Sequence, residues 1–204
     1  MSGLIPLLDA IHACTLCKEF LPLPPRPVLQ AGQGARILII GQAPGLRAHT
    51  RAMPWNDPSG ERLRDWMQVS REQFYSPSLF AIMPMGFCFP GKGKSGDLPP
   101  RKECARRWHQ SLLEQLPDIG LTLLIGQYAQ SYYLKDGARN LTERVRNWRD
   151  LPQTMLALPH PSPRNIAWFQ RNPWFAAEVI PELRQRVAAL RSRPSIQKRQ
   201  SPEH

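Results

Sequence analysis

Four short stretches of the chain are almost wholly apolar: Arg36 to Gly41, Leu79 to Pro84, Leu121 to Gly126 and Thr154 to Leu158. None alternates apolar with polar residues. Continuous apolar runs of this length are how strands look when a parallel sheet buries both of their faces. The stretches between them carry helical spacing. Residues 3–18 read as a short amphipathic helix, with Leu4, Leu7, Leu8 and Ile11 repeating. Glu61 to Val69 follows Ser59 as a candidate N-cap. Glu103 to Leu116 sets Trp108, Leu112, Leu113 and Leu116 on one side, Tyr128 to Leu134 follows the third run, and Phe175 to Leu190 forms a last helix. Strands alternating with helices predict an α/β fold: a central four-stranded parallel sheet flanked by helices. Leu21 to Pro27 holds four prolines in seven residues and reads as an extended linker. Residues 1–190 form one domain on this reading. Residues 191–204, RSRPSIQKRQSPEH, are polar, basic and aperiodic, and are expected to be a disordered tail.

Charge narrows the partners. The 204 residues include 27 Lys and Arg against 16 Asp and Glu, a formal charge of +11. Such an excess suits a polyanion, nucleic acid first and an anionic membrane surface second. No apolar run approaches the roughly 20 residues of a membrane span. The opening residues MSGLIPLLDAIHAC lack the basic start and small-residue cleavage site of a secretory signal. A cytoplasmic monomer with reduced thiols is expected, partnered by nucleic acid and by no membrane.

The unusual residues fall just after the apolar runs. In open α/β sheets ligands bind beyond the carboxyl ends of the strands. The first run leads into Gly41-Gln-Ala-Pro-Gly45, the second into Pro84-Met-Gly-Phe-Cys88, the third into Gly126-Gln127, and the fourth into Pro159-His-Pro-Ser-Pro-Arg-Asn165. Glycines let a backbone approach a ligand closely. His160 opens a rigid, proline-rich loop whose hydroxyl and N–H groups can meet a phosphate. Four segments would then share one rim. The four cysteines, Cys14, Cys17, Cys88 and Cys104, pair as C-x2-C and C-x15-C with none left over. In a reduced compartment this set points to a metal rather than to disulfides. Four sulfurs suit zinc or an iron–sulfur cluster. Either would tie the N-terminal segment to the segment after the second run.

Taken together these residues resemble the uracil-DNA glycosylase superfamily, over about Cys14 to Leu190. Gly41-Gln-Ala-Pro-Gly45 is similar to the first motif of the family 4 enzymes, and the four cysteines match the spacing of that family's [4Fe-4S] ligands. Leu124 to Ala129 resembles the third strand and following helix. His160-Pro-Ser-Pro-Arg-Asn165 resembles the second active-site motif, in wording closest to the single-strand-selective monofunctional uracil glycosylases. The resemblance implies a monofunctional DNA glycosylase of the α/β/α kind, excising uracil or a related deaminated base. It implies that Cys14, Cys17, Cys88 and Cys104 hold a [4Fe-4S] cluster, with structural zinc as the alternative. His160 would donate to the uracil O2, Trp55 would stack on the flipped base, and Gly41, Gln42 and Ala43 would line the pocket. Pro161, Ser162, Arg164 and Asn165 would press on the DNA strand.

The chain also departs from that pattern. Pro84 stands where family 4 has a base-reading Asn, Gln42 stands for its Glu, and Ala43 occupies the place of the water-assisting Asp of the most familiar uracil glycosylases. Asp57, in Trp55-Asn-Asp-Pro, is the candidate replacement carboxylate; its other reading is a turn or cap before Pro58. His49 is a further pocket candidate. Asp97 shares a basic loop with Lys92, Lys94 and Arg101, whose cations suit phosphates. Because Pro84 cannot read a base edge, a second reading stands beside the enzyme: a non-catalytic nucleic-acid-binding iron–sulfur protein of the same fold.

Overall fold

The computed structural model describes residues 3–94, 96–134, 137–138 and 140–192. Its centre is a parallel four-stranded sheet of β1 (Ile37–Ile40), β2 (Phe80–Ile82), β5 (Leu121–Ile125) and β6 (Met155–Leu158). The spatial order is β2-β1-β5-β6. Ile37 pairs with Phe80 on one side and Leu121 on the other, and Leu123 pairs with Leu156. All four expected strands are present. Their residues are almost completely shielded from solvent, with Ile37 to Ile40 at 0% exposure, which explains why the runs are continuous and not alternating. The chain leaves β1 for β2 on one side and later fills β5 and β6 on the other. Its direction therefore switches between β1 and β5, where an open sheet leaves a crevice.

The helices on the sheet follow the apolar stripes. In α1 (Leu4–His12) the residues Leu4, Leu7 and Ile11 are buried, and α1 packs on α5 (Lys102–Glu114), which buries Trp108 and Leu112. The segment α2 (Leu46–Arg51) follows β1. Next come α3 (Pro58–Met67), packed against the final α9 (Ile180–Arg191), and the single-turn α4 (Arg71–Phe74). Beyond β5 lie α6 (Gly126–Tyr133) and α7 (Leu141–Arg146), and beyond β6 lies α8 (Ile166–Arg171). Residues Phe175–Val179 form a π-helical turn that runs into α9.

Several expectations are corrected. The first helix stops at His12, not at residue 18, because its apolar repeat ends at Ile11. Cys14 and Cys17 lie in the turns that follow, with Cys14 N–H donating to the Ile11 carbonyl and Lys18 N–H to Thr15. The N-cap of α3 is Asp57 and not Ser59: an Asp57 oxygen accepts from Gly60 N–H at 2.8 Å, with Pro58 at the first helical position. The basic loop after Cys88 holds a small antiparallel hairpin, β3 (Lys92–Gly93) with β4 (Gly96–Asp97). The proline-rich linker is irregular, as expected. Of the expected tail, Arg191 is the last residue of α9, and residues 193–204 lie outside the described residues.

Candidate active site

One cleft of about 630 Å³ opens over the switch point. Its wall is built from the ends of the strands: Gly41 to Gly45 after β1, Pro84 after β2, Gln127 and Tyr128 after β5, and His160 with Ser162 to Asn165 after β6. The loop Pro54 to Ser59 and the hairpin residues Gly96 and Asp97 complete it. The cleft thus brings together Gly41, Gln42, Ala43, Trp55, Asp57, Pro84, His160, Ser162, Arg164 and Asn165. The glycine-flanked turn and the His160 loop do face one cavity, as the motif placement required.

His160 is fixed by its own loop. Its Nδ1 lies 3.2 Å from the Ser162 N–H, which can only donate. Nδ1 is therefore the acceptor, and the proton of the neutral ring sits on Nε2. Burial holds this imidazole below its ordinary value of 6.5, opposed by the nearby Asp57 carboxylate, so the neutral form prevails at physiological pH. The Asn165 amide donates to the His160 carbonyl at 2.8 Å, and Arg62 donates to the Ser162 carbonyl at 3.3 Å.

Trp55 closes one side. Its ring stacks on His160, with centroids 5.4 Å apart and planes 30° from parallel. Its backbone has φ +56, a left-handed conformation that a non-glycine residue adopts only when its surroundings impose it. The surroundings are on either side: Tyr75 Oη donates to the Pro54 carbonyl at 2.9 Å, Arg64 to the Trp55 carbonyl at 3.3 Å, and Arg71 to the Asn56 side chain at 2.9 Å. Two glycines make room. A Cβ on Gly41 would fall 2.9 Å from the Trp55 ring, and one on Gly60 would fall 1.8 Å from the Trp55 carbonyl.

The remaining candidates divide. The Gln42 amide donates to the Leu98 carbonyl at 3.0 Å, tethering the hairpin to the cleft wall. Asp57 spends one oxygen on the α3 cap while its charge acts on His160. Desolvation raises the Asp97 carboxyl, while Arg164 and Lys92 act to lower it. Lys92 and Lys94 are exposed on the hairpin beside the cleft. Two expectations fail on position. Pro161 is buried and does not line the cleft, so the exposed Pro163 is the proline that faces outward. His49 points to Phe89, ring centroids 6.2 Å apart, and lies off the cleft. Tyr128 and Arg62 were missed. Tyr128 follows the third strand directly, a signal that was readable; Arg62 reaches its partner across 100 residues of sequence, which no local pattern shows.

Cys14, Cys17, Cys88 and Cys104 line a second, smaller cavity with Arg101 and Trp108. All four are free thiols, so no disulfide forms among them. Burial pushes the Cys88 thiol up to about 11 and that of Cys104 up to about 12. Phe87 N–H donates to Cys104 Sγ at 3.3 Å. Among the described residues, no three His, Cys, Asp or Glu side chains are close enough to hold a single metal ion. Trp108 presents a buried indole N–H with no partner among the described residues. No helix among the described residues is long and apolar enough to cross a membrane.

The family model of the uracil DNA glycosylase superfamily matches residues 29–184. That span contains the sheet, the glycine-flanked turn, the His160 loop and two of the four cysteines, and it covers most of the chain. On this match, and with the parallel sheet and switch-point cleft that accompany it, the chain belongs to the uracil DNA glycosylase superfamily.

Proposed function

We propose that the protein is a monofunctional DNA glycosylase that removes uracil or a related deaminated base. The observation that carries this reading is a neutral His160 whose Nδ1 is occupied by the Ser162 N–H, leaving Nε2–H as a donor in a cleft wide enough for a base. A base inside a duplex is out of reach, so the target nucleotide is flipped into the cleft. Breaking its N-glycosidic bond places negative charge on the departing base and positive charge on the sugar. A fixed donor at the base oxygen stabilises the first, and such a donor is typically worth about 2.7–4 kcal/mol of barrier. The Asp57 carboxylate beside His160 stabilises the second and orients water. Trp55, braced by Arg64 and Tyr75, offers its face to the base. The exposed Arg164, Lys92 and Lys94 meet the phosphates.

The four cysteines line one small cavity, where they would hold an iron–sulfur cluster, with structural zinc as the alternative. A cluster also supplies acceptor sulfides for the orphaned Trp108 N–H and needs N–H groups such as that of Phe87 at its thiolates. Bound there, a [4Fe-4S] cluster would act as a structural clamp, with Cys14, Cys17, Cys88 and Cys104 as ligands. An anaerobic absorption spectrum with iron and sulfide analysis tests this point.

The test of the activity is a panel of oligonucleotides carrying uracil, hypoxanthine or xanthine, single- and double-stranded. Abasic product on at least one is expected, and none on any would sink the enzyme reading. Pro84 favours one alternative. Proline at that position has no side-chain amide with which to read a base edge, as in a nucleic-acid-binding protein that has lost catalysis. Salt-dependent DNA binding without turnover would select that reading.

A further inference from the structure

The floor of the cleft is held from below by a buried histidine that touches neither the cleft nor the thiols' cavity. His109, on α5, is 2% exposed. Its Nε2 lies 3.1 Å from the Pro84 carbonyl, and its Nδ1 lies 2.6 Å from Tyr133 Oη at the end of α6. A carbonyl can only accept, so Nε2 carries the proton and Nδ1 accepts from the tyrosine hydroxyl. The ring also lies nearly parallel to Phe87 and to Tyr133, at centroid distances of 5.6 and 6.0 Å. On the opposite side the same segment is bound to the extension of β1: Met85 N–H donates to Gly41 and Gly86 N–H to Gln42.

Pro84 is therefore the residue where two sets of bonds meet. Its ring nitrogen has no hydrogen, so its carbonyl is the single backbone group through which it can be oriented. That carbonyl is turned to His109, which leaves an apolar face on the cleft. If the bond were absent, the buried carbonyl would lose its donor, and the peptide that carries it would no longer be held in one orientation.

We propose that His109 is a positioning residue for base choice: its hydrogen bond to the Pro84 carbonyl keeps the cleft floor apolar and the adjoining peptide in one orientation. This rests on the glycosylase reading above. Tyr133 selects the tautomer that makes the bond, and Phe87 fixes the plane of the ring. The floor then discriminates bases by shape and by refusing polar edges, a role that a reading amide would otherwise fill.

The variants His109→Leu, which removes the donor, and His109→Gln, which restores an amide donor, test this beside Tyr133→Phe. Single-turnover excision of uracil and hypoxanthine, DNA affinity and the ¹⁵N signature of His109 are measured in each full chain. His109→Leu should slow the preferred base roughly ten- to a hundredfold, the range for a slightly misplaced group at a reacting site. It should also shift the ratio between bases while DNA affinity stays unchanged. His109→Gln should recover most of both. Parental rate and ratio in the leucine variant would overturn the proposal, as would a glutamine variant no better than leucine, or a parental His109 protonated on Nδ1. Should the leucine variant fail to fold, Tyr133→Phe decides: it must alter the His109 signature and the base ratio, and no change in either ends the proposal. A parent inactive on every base would remove the glycosylase reading and the base-choice role with it, the ¹⁵N signature then reporting on the hydrogen bond alone.

Discussion

In the proposed reaction, everything turns on which nitrogen of His160 carries the proton. A backbone N–H fixes Nδ1 as acceptor, and burial keeps the ring neutral below its ordinary 6.5. Neutral imidazole prevails above the pKa, so lowering the pKa extends the active form toward acid. The excision rate should therefore stay level as pH falls through 6.5 and decline only below it; a midpoint at or above 6.5 in a pH–rate profile would contradict the assignment. Gly41→Ala should drive a methyl into the Trp55 ring, which lies 2.9 Å from that position. The ring would be displaced from His160 and excision slowed at least tenfold, by the usual cost of a misplaced group in a reacting site, with melting temperature little changed. Much of this was legible in the sequence, because His160 and Gly41 directly follow apolar runs. The errors are instructive. Pro161 and Pro163 look alike in HPSPRN, but the turn buries the first and exposes the second. His49 was misread because nothing in a sequence says which way a short helix aims its side chains.

At the scale of elements, the strands were readable to within a residue or two, since burial on both faces leaves a signature that polar interruptions cannot imitate. The short α2, α4 and α7 carry few apolar residues each, and α8 is a single six-residue stretch, so none left such a trace. The β3–β4 hairpin was equally hidden: its strands are two residues long, and its position is set by Gln42 rather than by its own pattern. It places Lys92 and Lys94 beside the cleft. Replacing both by Ala should lower the slope of log affinity against log salt by up to about 2 for duplex DNA, measured by titration at several salt concentrations, while the single-turnover rate at saturation holds. An unchanged slope would move the phosphate path elsewhere. The thiol cavity joins the turns after α1, the loop after β2 and the start of α5. Cys104→Ser should depress the melting temperature by more than the change of one buried atom explains and bleach the visible absorption expected of a cluster; equal melting and spectra would remove the structural clamp.

For the whole molecule, the buried groups predict how stability responds to acid. Burial holds His109 down to about 4 in the folded state, against 6.5 when unfolded. The unfolded chain takes up the proton first, so this group contributes full stability above 6.5 and loses it as pH falls toward 4. The loss is about 3 kcal/mol, visible in denaturant titrations and diminished in His109→Gln. The sheet, the rim that gathers His160 with Gly41, and the basic surface all follow from patterns already present along the chain. The bracing of Trp55, the tether of Gln42 and the support beneath Pro84 do not, since each joins residues distant in sequence. On the proposed reading, what unites them is a cleft that holds one extruded base against the His160 Nε2–H. Its most direct test is base release from uracil-containing DNA at saturating enzyme, parent against His160→Ala. The account predicts free base and an abasic site from the parent and a rate lower by about 10²–10³ in the variant, with DNA binding retained. Equal rates in the two proteins would contradict it.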